Sequence, residues 1–290
     1  MMAMTVLSPP IPPTATAITA LAAATDRLLA TIDAMPAGAF TEPSVLPGWS
    51  RAHVLAHLAL NAKGLAGVLT TIGQPDPLPM YASNERRDGD IDRLAAQPPA
   101  RIADRVAVGA SMLAAHLGAG PTPEDALDAV GHAGLGSAER GIETGGTDLV
   151  IDVFTRAAAD ASNAIANWSV DGVFQRIPGA PAMDAAQIPY MRWREVEIHH
   201  ADLGLGYRPA NWPSEFADYL FDTAAYDRDP ETGMTLSVSD GRTMTVGGGG
   251  PVVRGSAADL AWWLVGRGTG EGLIVDGGEP LPPLSPWRRR

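Results

Sequence analysis

The segment SRAHVLAHLALNAKGLAGVLTTI, residues 50–72, has the pattern of an amphipathic helix that begins at the N-cap Ser50. At about 100° per residue, its apolar stripe consists of Val54, Leu58, Leu65, Leu69 and Ile72. Asn61 lies at the edge of this stripe and His57 slightly further round, whereas His53 is turned toward solvent. His57 can therefore reach the interior of a helical bundle from the flank. On this helix alone, a histidine that is hydrogen-bonded at a helix interface is the simpler interpretation.

A second segment, MRWREVEIHHADLG at residues 191–204, brings acidic and imidazole groups together. Glu195 and His199 are four residues apart and therefore lie on one helical face. The residues that flank them on that face are Met191, Arg192, Ile198 and Asp202. The residues that point elsewhere are Trp193, Glu197 and His200. A face of this composition is either a surface ion-pair network or a functional site.

Together the two helices offer three metal ligands of the nitrogen and oxygen type. His57 from the first helix, with Glu195 and His199 from the second, matches an open catalytic site of the zinc type. In such a site three protein ligands leave a fourth position for water or substrate. Imidazole and carboxylate suit Zn²⁺, and Ni²⁺ or another divalent ion stays open. Asp202 follows His199 by about one turn and could orient its imidazole N–H.

The rest of the chain predicts an α+β protein, a helical bundle followed by a small α/β module. The first part has a connection at 36–49, an irregular loop at 74–90 and predicted helices at 14–35, 92–117, 123–130, 147–167 and 188–203. After Trp212 the prediction is helix 213–227, hairpin strands 234–240 and 243–248, strand 252–255, helix 256–267 and strand 272–276. The predicted organisation is a flexible tail at 1–13, a bundle at 14–206 and a C-terminal domain at 212–287.

Composition narrows the range of functions. Thirty-three acidic residues against 21 basic residues give a net charge of −12, which lacks the cationic footprint of a nucleic-acid-binding protein. The chain has no cysteine, so any thiol chemistry needs a thiol from outside the protein. It has no long uncharged apolar run of the kind that forms a membrane-spanning helix. It also has no basic region before its N-terminal apolar stretch, as a signal peptide would have. We therefore expect a cytoplasmic protein with small-molecule partners.

Four stretches resemble the DinB-like mycothiol-dependent maleylpyruvate isomerase family. They are LPGWSRAHVLAHLALNAKGL (46–65), MYASNERRDGDI (80–91), MRWREVEIHHADLGLGYRPANWP (191–213) and ADLAWWLVGRGTGEGLIVDGGEPLPPLSPW (258–287). The resemblance covers roughly 14–104, 147–213 and 232–287. Residues 105–146 are expected to be an insertion between the second and third bundle helices.

The resemblance implies a DinB-like four-helix bundle followed by a small α/β C-terminal domain. It also implies a divalent metal ion, usually zinc, whose ligands fall on His57, Glu195 and His199. Mycothiol, the low-molecular-weight thiol of actinobacteria, is the implied cosubstrate. Arg267 of the LVGR segment is the implied catalytic arginine that faces the anionic substrate. Alternatively, Arg267 is a cation at the end of a helix, where it interacts with the last carbonyl groups.

These inferences favour a thiol-dependent isomerase. A thiolate adds to the cis double bond of maleylpyruvate, the resulting single bond rotates, and elimination returns the thiol and leaves the trans product fumarylpyruvate. Arg267 and Arg87 are expected to bind the dianionic substrate because guanidinium groups match carboxylates. Two alternatives stay open. One is a mycothiol S-transferase that leaves the thiol attached to an electrophile, and the other is a metal-free, non-catalytic helical-bundle binding protein.

Overall fold

The structure is a computed structural model that describes residues 11–118, 164–228 and 233–287. The chain divides into two compact units, one of Pro13–Gly206 and one that contains Tyr207–Arg290. The first unit is mainly helical and the second contains a mixed sheet, so the predicted α+β class is confirmed.

In the N-terminal unit, the structure gives the bounds of five α-helices: α1 (Thr14–Asp33), α2 (Arg51–Thr71), α3 (Asn84–Ala95), α4 (Pro99–His116) and α5 (Ile188–Asp202). Helix α2 packs against α3, α4 and α5, and α1 packs against α5 and α4. Helices α1, α4, α2 and α5 therefore close into the four-helix arrangement that the resemblance implied.

The core of this unit lies along the apolar stripe of α2. Val54, Leu58 and Leu65 are completely buried, as predicted from their spacing. Full burial of one such side chain contributes about 1.5–3 kcal/mol to the free energy of folding. On α4, a Cβ atom at Gly109 would approach the carbonyl oxygen of Ala59 to 2.9 Å, so the absence of a side chain lets α4 approach α2 closely.

Two predictions for residues 74–117 are wrong in detail. Residues 74–90 are not irregular throughout, because α3 already begins at Asn84, after Ser83 whose side chain accepts a hydrogen bond from the Arg86 N–H at 3.1 Å. The single helix expected at 92–117 is divided into α3 and α4. Pro98 and Pro99 cause the division, because proline lacks an amide donor and disfavours helical geometry in the preceding residue.

The segment 105–146, which we expected to be an insertion, is described only in its first part. Residues 105–116 are the second half of α4, and Val106 and Leu113 are buried there as members of the bundle core. The remainder, 119–146, lies outside the described residues, as do the predicted helix at 123–130 and most of the one at 147–167. Of that last helix, residues 164–166 are described and are helical.

A short antiparallel hairpin in the N-terminal unit was not predicted. It pairs β1 (Val173–Gln175) with β2 (Ala182–Asp184), with Phe174 opposite Met183. The loop before α3 is attached to the end of β1. The N–H groups of Met80 and Tyr81 donate to the carbonyl groups of Gln175 and Arg176 at 3.0 and 2.9 Å. The hairpin therefore fixes the position of residues 80 and 81 on the bundle.

The C-terminal unit contains a four-stranded mixed sheet in the order β4–β3–β5–β6. Its elements are α6 (Ser214–Tyr226), β3 (Met234–Val238), β4 (Thr243–Val246), β5 (Val252–Gly255), α7 (Ala257–Leu264) and β6 (Ile274–Val275). Strands β3 and β5 are parallel, and the other two pairs are antiparallel. Helix α6 packs on α7, which begins after the predicted cap Ser256 but ends at Leu264 instead of residue 267.

Helices α1 and α2 are long and apolar enough to cross a bilayer, judged by length and composition alone. Both helices lie within the bundle. There, 67% of the most apolar 18-residue stretch of α2 is buried, and 44% of the corresponding stretch of α1. Packing against α4 and α5 explains the apolar composition of α2 without a membrane.

Candidate metal centre

His57 on α2 meets Glu195 and His199 on α5. Nε2 of His57 lies 2.7 Å from Oε2 of Glu195, and Nε2 of His199 lies 3.3 Å from the same oxygen. The two imidazole rings are 4.8 Å apart between centroids and almost perpendicular. One potential ligand atom from each residue lies within 4.8 Å of the other two. The structure therefore brings together the three side chains that the two helical patterns singled out.

Helices α2 and α5 are joined on both sides of this cluster. Nη1 of the buried Arg192 donates to the Leu58 carbonyl at 2.8 Å and to Oδ1 of Asn61 at 2.9 Å. At the other end, Nε of Arg51 donates to the Leu203 carbonyl at 2.8 Å. These contacts hold the first half of α2 antiparallel along α5, which sets His57 opposite Glu195.

Asp202 orients the imidazole of His199. Its Oδ2 lies 2.8 Å from Nδ1 of His199, and its side chain is fully buried. With Nδ1–H donated to this carboxylate, Nε2 faces Glu195; while it is protonated it donates to that carboxylate, and once its proton is lost its lone pair is free to bind an ion. A carboxylate–histidine pair of this kind is the usual support of a metal-binding histidine.

The three clustered groups have displaced pKa values. Burial raises the pKa of Glu195, but the charges and hydrogen bonds of His57 and His199 outweigh burial and hold that pKa well below its usual value. Burial is the main cause of the lowered pKa of His57, and the charge of Arg87 lowers it further. For His199, burial acts downward, but Asp202 and Glu195 outweigh it and raise the pKa to about 9. Glu195 is therefore ionised and His57 neutral at pH 7.

The donor set fits a divalent metal ion. Ligand atoms of one zinc ion, each about 2 Å from it, lie within about 4 Å of one another, so this cluster needs only small adjustments to surround an ion. Nδ1 of His57 is buried and has no hydrogen-bond partner, and its ring lies 5.8 Å from that of Trp49. Two imidazoles and one carboxylate leave a further position open for an exogenous ligand.

Two family models match the chain. The model of the mycothiol maleylpyruvate isomerase N-terminal domain matches residues 21–150, and the model of the C-terminal domain of the same family matches residues 209–284. The chain belongs to the mycothiol-dependent maleylpyruvate isomerase family. The N-terminal model of this family also spans residues 105–146, the segment that we expected to be an insertion.

Two solved structures have the same fold. They are the mycothiol-dependent maleylpyruvate isomerase and a histidine-to-alanine mutant of it. Each is 23% identical to this chain, with a TM-score of 0.64, and the alignment covers 93% of this chain and 96% of the other. No curated protein matches the chain.

Within this family fold, the neighbouring polar residues of α5 and α2 point away from the cluster. Glu197 accepts a hydrogen bond from Arg27 of α1 at 2.7 Å, and His200 lies 2.8 Å from Thr31 of the same helix. His53 lies 2.7 Å from the Ser50 hydroxyl and caps the start of α2. These three side chains therefore join helices or cap them.

The two predicted substrate arginines lie in different units. Arg87 is on α3 and its charge acts on His57. Arg267 follows α7 in the C-terminal unit, where its N–H donates to the Trp262 carbonyl at 3.0 Å. Both assignments stay predictions.

Two further residues near the centre, Tyr81 and Arg176, were not predicted. The ring of Tyr81 lies 5.9 Å from the guanidinium carbon of Arg87 and 5.5 Å from that of Arg176. Tyr81 belongs to the stretch 80–91 that resembles the family, which is a signal that could have identified it. Arg176 follows the unpredicted strand β1 and carries no such signal.

Proposed function

We propose that this protein is a mycothiol-dependent isomerase containing a divalent metal ion, which converts a cis alkene of the maleylpyruvate type into its trans isomer. The observation that carries the proposal is the convergence of His57, Glu195 and His199 in a chain of this family. The proposed metal is zinc, because the ligands are two imidazoles and a carboxylate.

His57, Glu195 and His199 would hold the ion, and Asp202 would keep His199 in the tautomer that offers Nε2. A metal at such a site lowers the pKa of a bound thiol, which is about 8.5 in free cysteine. A decrease of about two units corresponds to roughly 2.7 kcal/mol of stabilisation of the thiolate. Because the chain has no cysteine, mycothiol supplies the sulfur.

The reaction balances without an oxidant or a reductant. The mycothiol sulfur forms a bond to one alkene carbon, and the π electron pair moves toward the conjugated carbonyl. The former double bond is now single and rotates. Expulsion of the same sulfur restores the double bond in the trans geometry and returns the thiolate. Arg87 and Arg267 are the proposed partners of the substrate carboxylates, since the guanidinium fork matches a carboxylate.

We assign the metal centre to a bundle domain of residues 14–206 and Arg267 to a C-terminal domain of residues 212–287.

The proposed partners are mycothiol and a small anionic substrate, with no nucleic acid or membrane, and the proposed location is the cytoplasm. The acidic balance of 33 acidic to 21 basic residues supports the exclusion of nucleic acid.

Metal analysis combined with a thiol-dependence assay tests the proposal. We expect about one metal ion per chain, fumarylpyruvate formation from maleylpyruvate only when mycothiol is present, and no net consumption of thiol. His57→Ala is expected to lose both metal and activity, while His53→Ala serves as the control on the same helix.

Three other outcomes would contradict parts of the proposal. Stoichiometric loss of thiol with an electrophile would replace the isomerase with a mycothiol S-transferase. Isomerisation without mycothiol would exclude the thiol mechanism. Metal occupancy far below one per chain, unchanged by His57→Ala, would favour a metal-free binding protein in which Glu195 and His199 form only an ion pair.

A further inference from the structure

Two arginines converge on one tyrosine near the metal centre. The guanidinium carbons of Arg87 and Arg176 lie 5.9 and 5.5 Å from the centroid of the Tyr81 ring. Guanidinium groups are attracted to the face of an aromatic ring, which holds them in place without neutralising them. Tyr81 therefore holds two positive charges near its ring, and we call Tyr81, Arg87 and Arg176 together the arginine wall.

Neither arginine is fully satisfied by the described residues. Nη1 of Arg176 donates at 2.9 Å to the neutral side chain of Asn84, and no carboxylate of the described chain forms an ion pair with Arg176. Nη1 of Arg87 donates at 3.0 Å to Asp88, a mostly exposed acid whose pairing contributes little. Nε of Arg87 is buried and has no partner. In a protein with a net charge of −12, two such guanidinium groups around one ring favour an anion-binding position.

The backbone places this wall beside the metal centre. His57, Asn61 and Gly64 follow one another at helical spacing on one side of α2. A Cβ atom at Gly64 would approach both Cγ and the carbonyl oxygen of Met80 to 2.9 Å, so the chain before Tyr81 lies directly on this side of α2. The hydrogen bond from the Tyr81 N–H to the Arg176 carbonyl, 2.9 Å long, brings the end of β1 to the same place.

The charges of the wall and of the centre interact. Burial first, and then the negative charge of Glu195, raises the pKa of Tyr81 to about 12, so its phenol stays protonated and can donate a hydrogen bond. The interaction between Tyr81 and Glu195 agrees with the geometric placement of Tyr81 on this side of α2.

We propose that Arg87 and Arg176, held by Tyr81, form a subsite that binds one carboxylate of a dicarboxylate substrate at the metal centre. This inference rests on the proposed function and adds Arg176 and Tyr81 to it. The guanidinium groups bind the carboxylate through charge-assisted hydrogen bonds, while the rest of the substrate extends toward His57, Glu195 and His199. The enzyme thereby selects substrates with a second carboxylate.

Binding of two small anions to the metal-loaded protein in the absence of thiol tests the subsite. Maleate carries two cis carboxylates, and isocrotonate replaces one of them with a methyl group. Calorimetric titration is expected to give tighter binding of maleate than of isocrotonate. Arg176→Gln is expected to weaken maleate binding roughly tenfold or more and to leave isocrotonate unchanged, because charged hydrogen bonds to one carboxylate are lost. Arg176→Lys is expected to restore part of the maleate affinity.

Two control variants separate charge from structure. Asn84→Ala removes the hydrogen bond to Arg176 but keeps the guanidinium group, so maleate affinity is expected to stay within about twofold of that of the parent. Arg242→Gln removes an arginine of the C-terminal unit that pairs with Asp218 and Asp240, and maleate affinity is expected to stay unchanged. Metal content and melting temperature are measured for every variant.

The outcomes distinguish the subsite from the function. Equal affinities for maleate and isocrotonate in the parent protein, or maleate affinity within twofold of the parent in Arg176→Gln, would overturn the subsite. An Asn84→Ala variant that loses maleate affinity as Arg176→Gln does would also overturn it. If the protein proves inactive with mycothiol and maleylpyruvate but keeps the Arg176-dependent preference, the subsite stands and the proposed isomerase fails.

Discussion

Arg192 of α5 donates from Nη1 to Oδ1 of Asn61 on α2 at 2.9 Å, and both side chains are buried. Arg192 precedes Glu195 by three residues and Asn61 follows His57 by four, so this bond joins the two helices next to the candidate metal centre. Burial is the main cause that lowers the pKa of Arg192, to about 10, and the guanidinium therefore stays charged at pH 7.

Asn61→Ala is expected to lower the free energy of unfolding by about 1–3 kcal/mol, because it leaves a buried charged donor with only the Leu58 carbonyl. Urea denaturation in the presence of a chelator measures this effect without the contribution of the metal. Asn84→Ala removes an exposed side-chain hydrogen bond and is the control, with an expected change below about 0.5 kcal/mol. Equal stabilities for the two variants would show that the bond between α2 and α5 contributes nothing.

The variants His57→Ala, Glu195→Gln and His199→Ala are each expected to weaken metal binding strongly, since each removes one of the three proposed ligands. His200→Ala and His53→Ala are expected to keep the metal, because these side chains contact Thr31 and Ser50 instead. Elemental analysis after dialysis against a weak chelator measures occupancy. Similar losses at all five positions would refute the assignment of ligands.

Asp202→Asn is expected to reduce metal affinity about 10- to 100-fold while preserving the shape of the side chain. The cause is the loss of the carboxylate that lies 2.8 Å from Nδ1 of His199 and fixes its tautomer. Competition with a fluorescent zinc chelator gives the dissociation constant. An affinity equal to that of the parent protein would mean that Asp202 does not support the ligand.

The metal-free protein is expected to lose stability as the pH rises from 6.5 to above 9. In the folded state the pKa of His199 is raised from 6.5 to about 9, so its protonation stabilises the fold fully below pH 6.5 and not above pH 9. His57 and Glu195 keep their charge states in this window because their pKa values are lowered. Thermal unfolding with chelator across this range measures the slope, and His199→Gln is expected to reduce it. An identical slope in that variant would contradict the prediction.

Two glycines of α2 provide a matched pair of substitutions. A Cβ atom at Gly67 would have no neighbour within 4 Å, so Gly67→Ala is expected to raise stability by about 0.5–1 kcal/mol through higher helix propensity. Gly64→Ala would press on the Met80 backbone, and a loss of about 1–3 kcal/mol is expected together with weaker maleate binding. Chemical denaturation of both variants tests the pair, and stabilisation by Gly64→Ala would show that Met80 and Tyr81 do not rest on α2.

The sequence predicted the helices well where apolar residues recur at helical spacing over several turns. The stripe of α2 and the spacing of Glu195 and His199 follow from 3.6 residues per turn, and the structure places these residues as expected. The hairpin of β1 and β2 was missed because three-residue strands with one buried side chain have no readable alternation. The break between α3 and α4 could have been found from Pro98 and Pro99.

The sequence by itself determined which side chains share a helical face, because that depends only on backbone periodicity. It thereby singled out His57, Glu195 and His199 as candidate metal ligands and Asp202 as the residue that orients His199. Only the tertiary structure decided that His57 lies opposite Glu195, that Tyr81 interacts with Glu195 and that Arg176 lies beside Tyr81. These distances depend on how α2, α5 and the hairpin pack and on long-range bonds such as the one between Arg192 and Asn61. No local pattern encodes such contacts, because the partners are far apart along the chain, 131 residues in the case of Arg192 and Asn61.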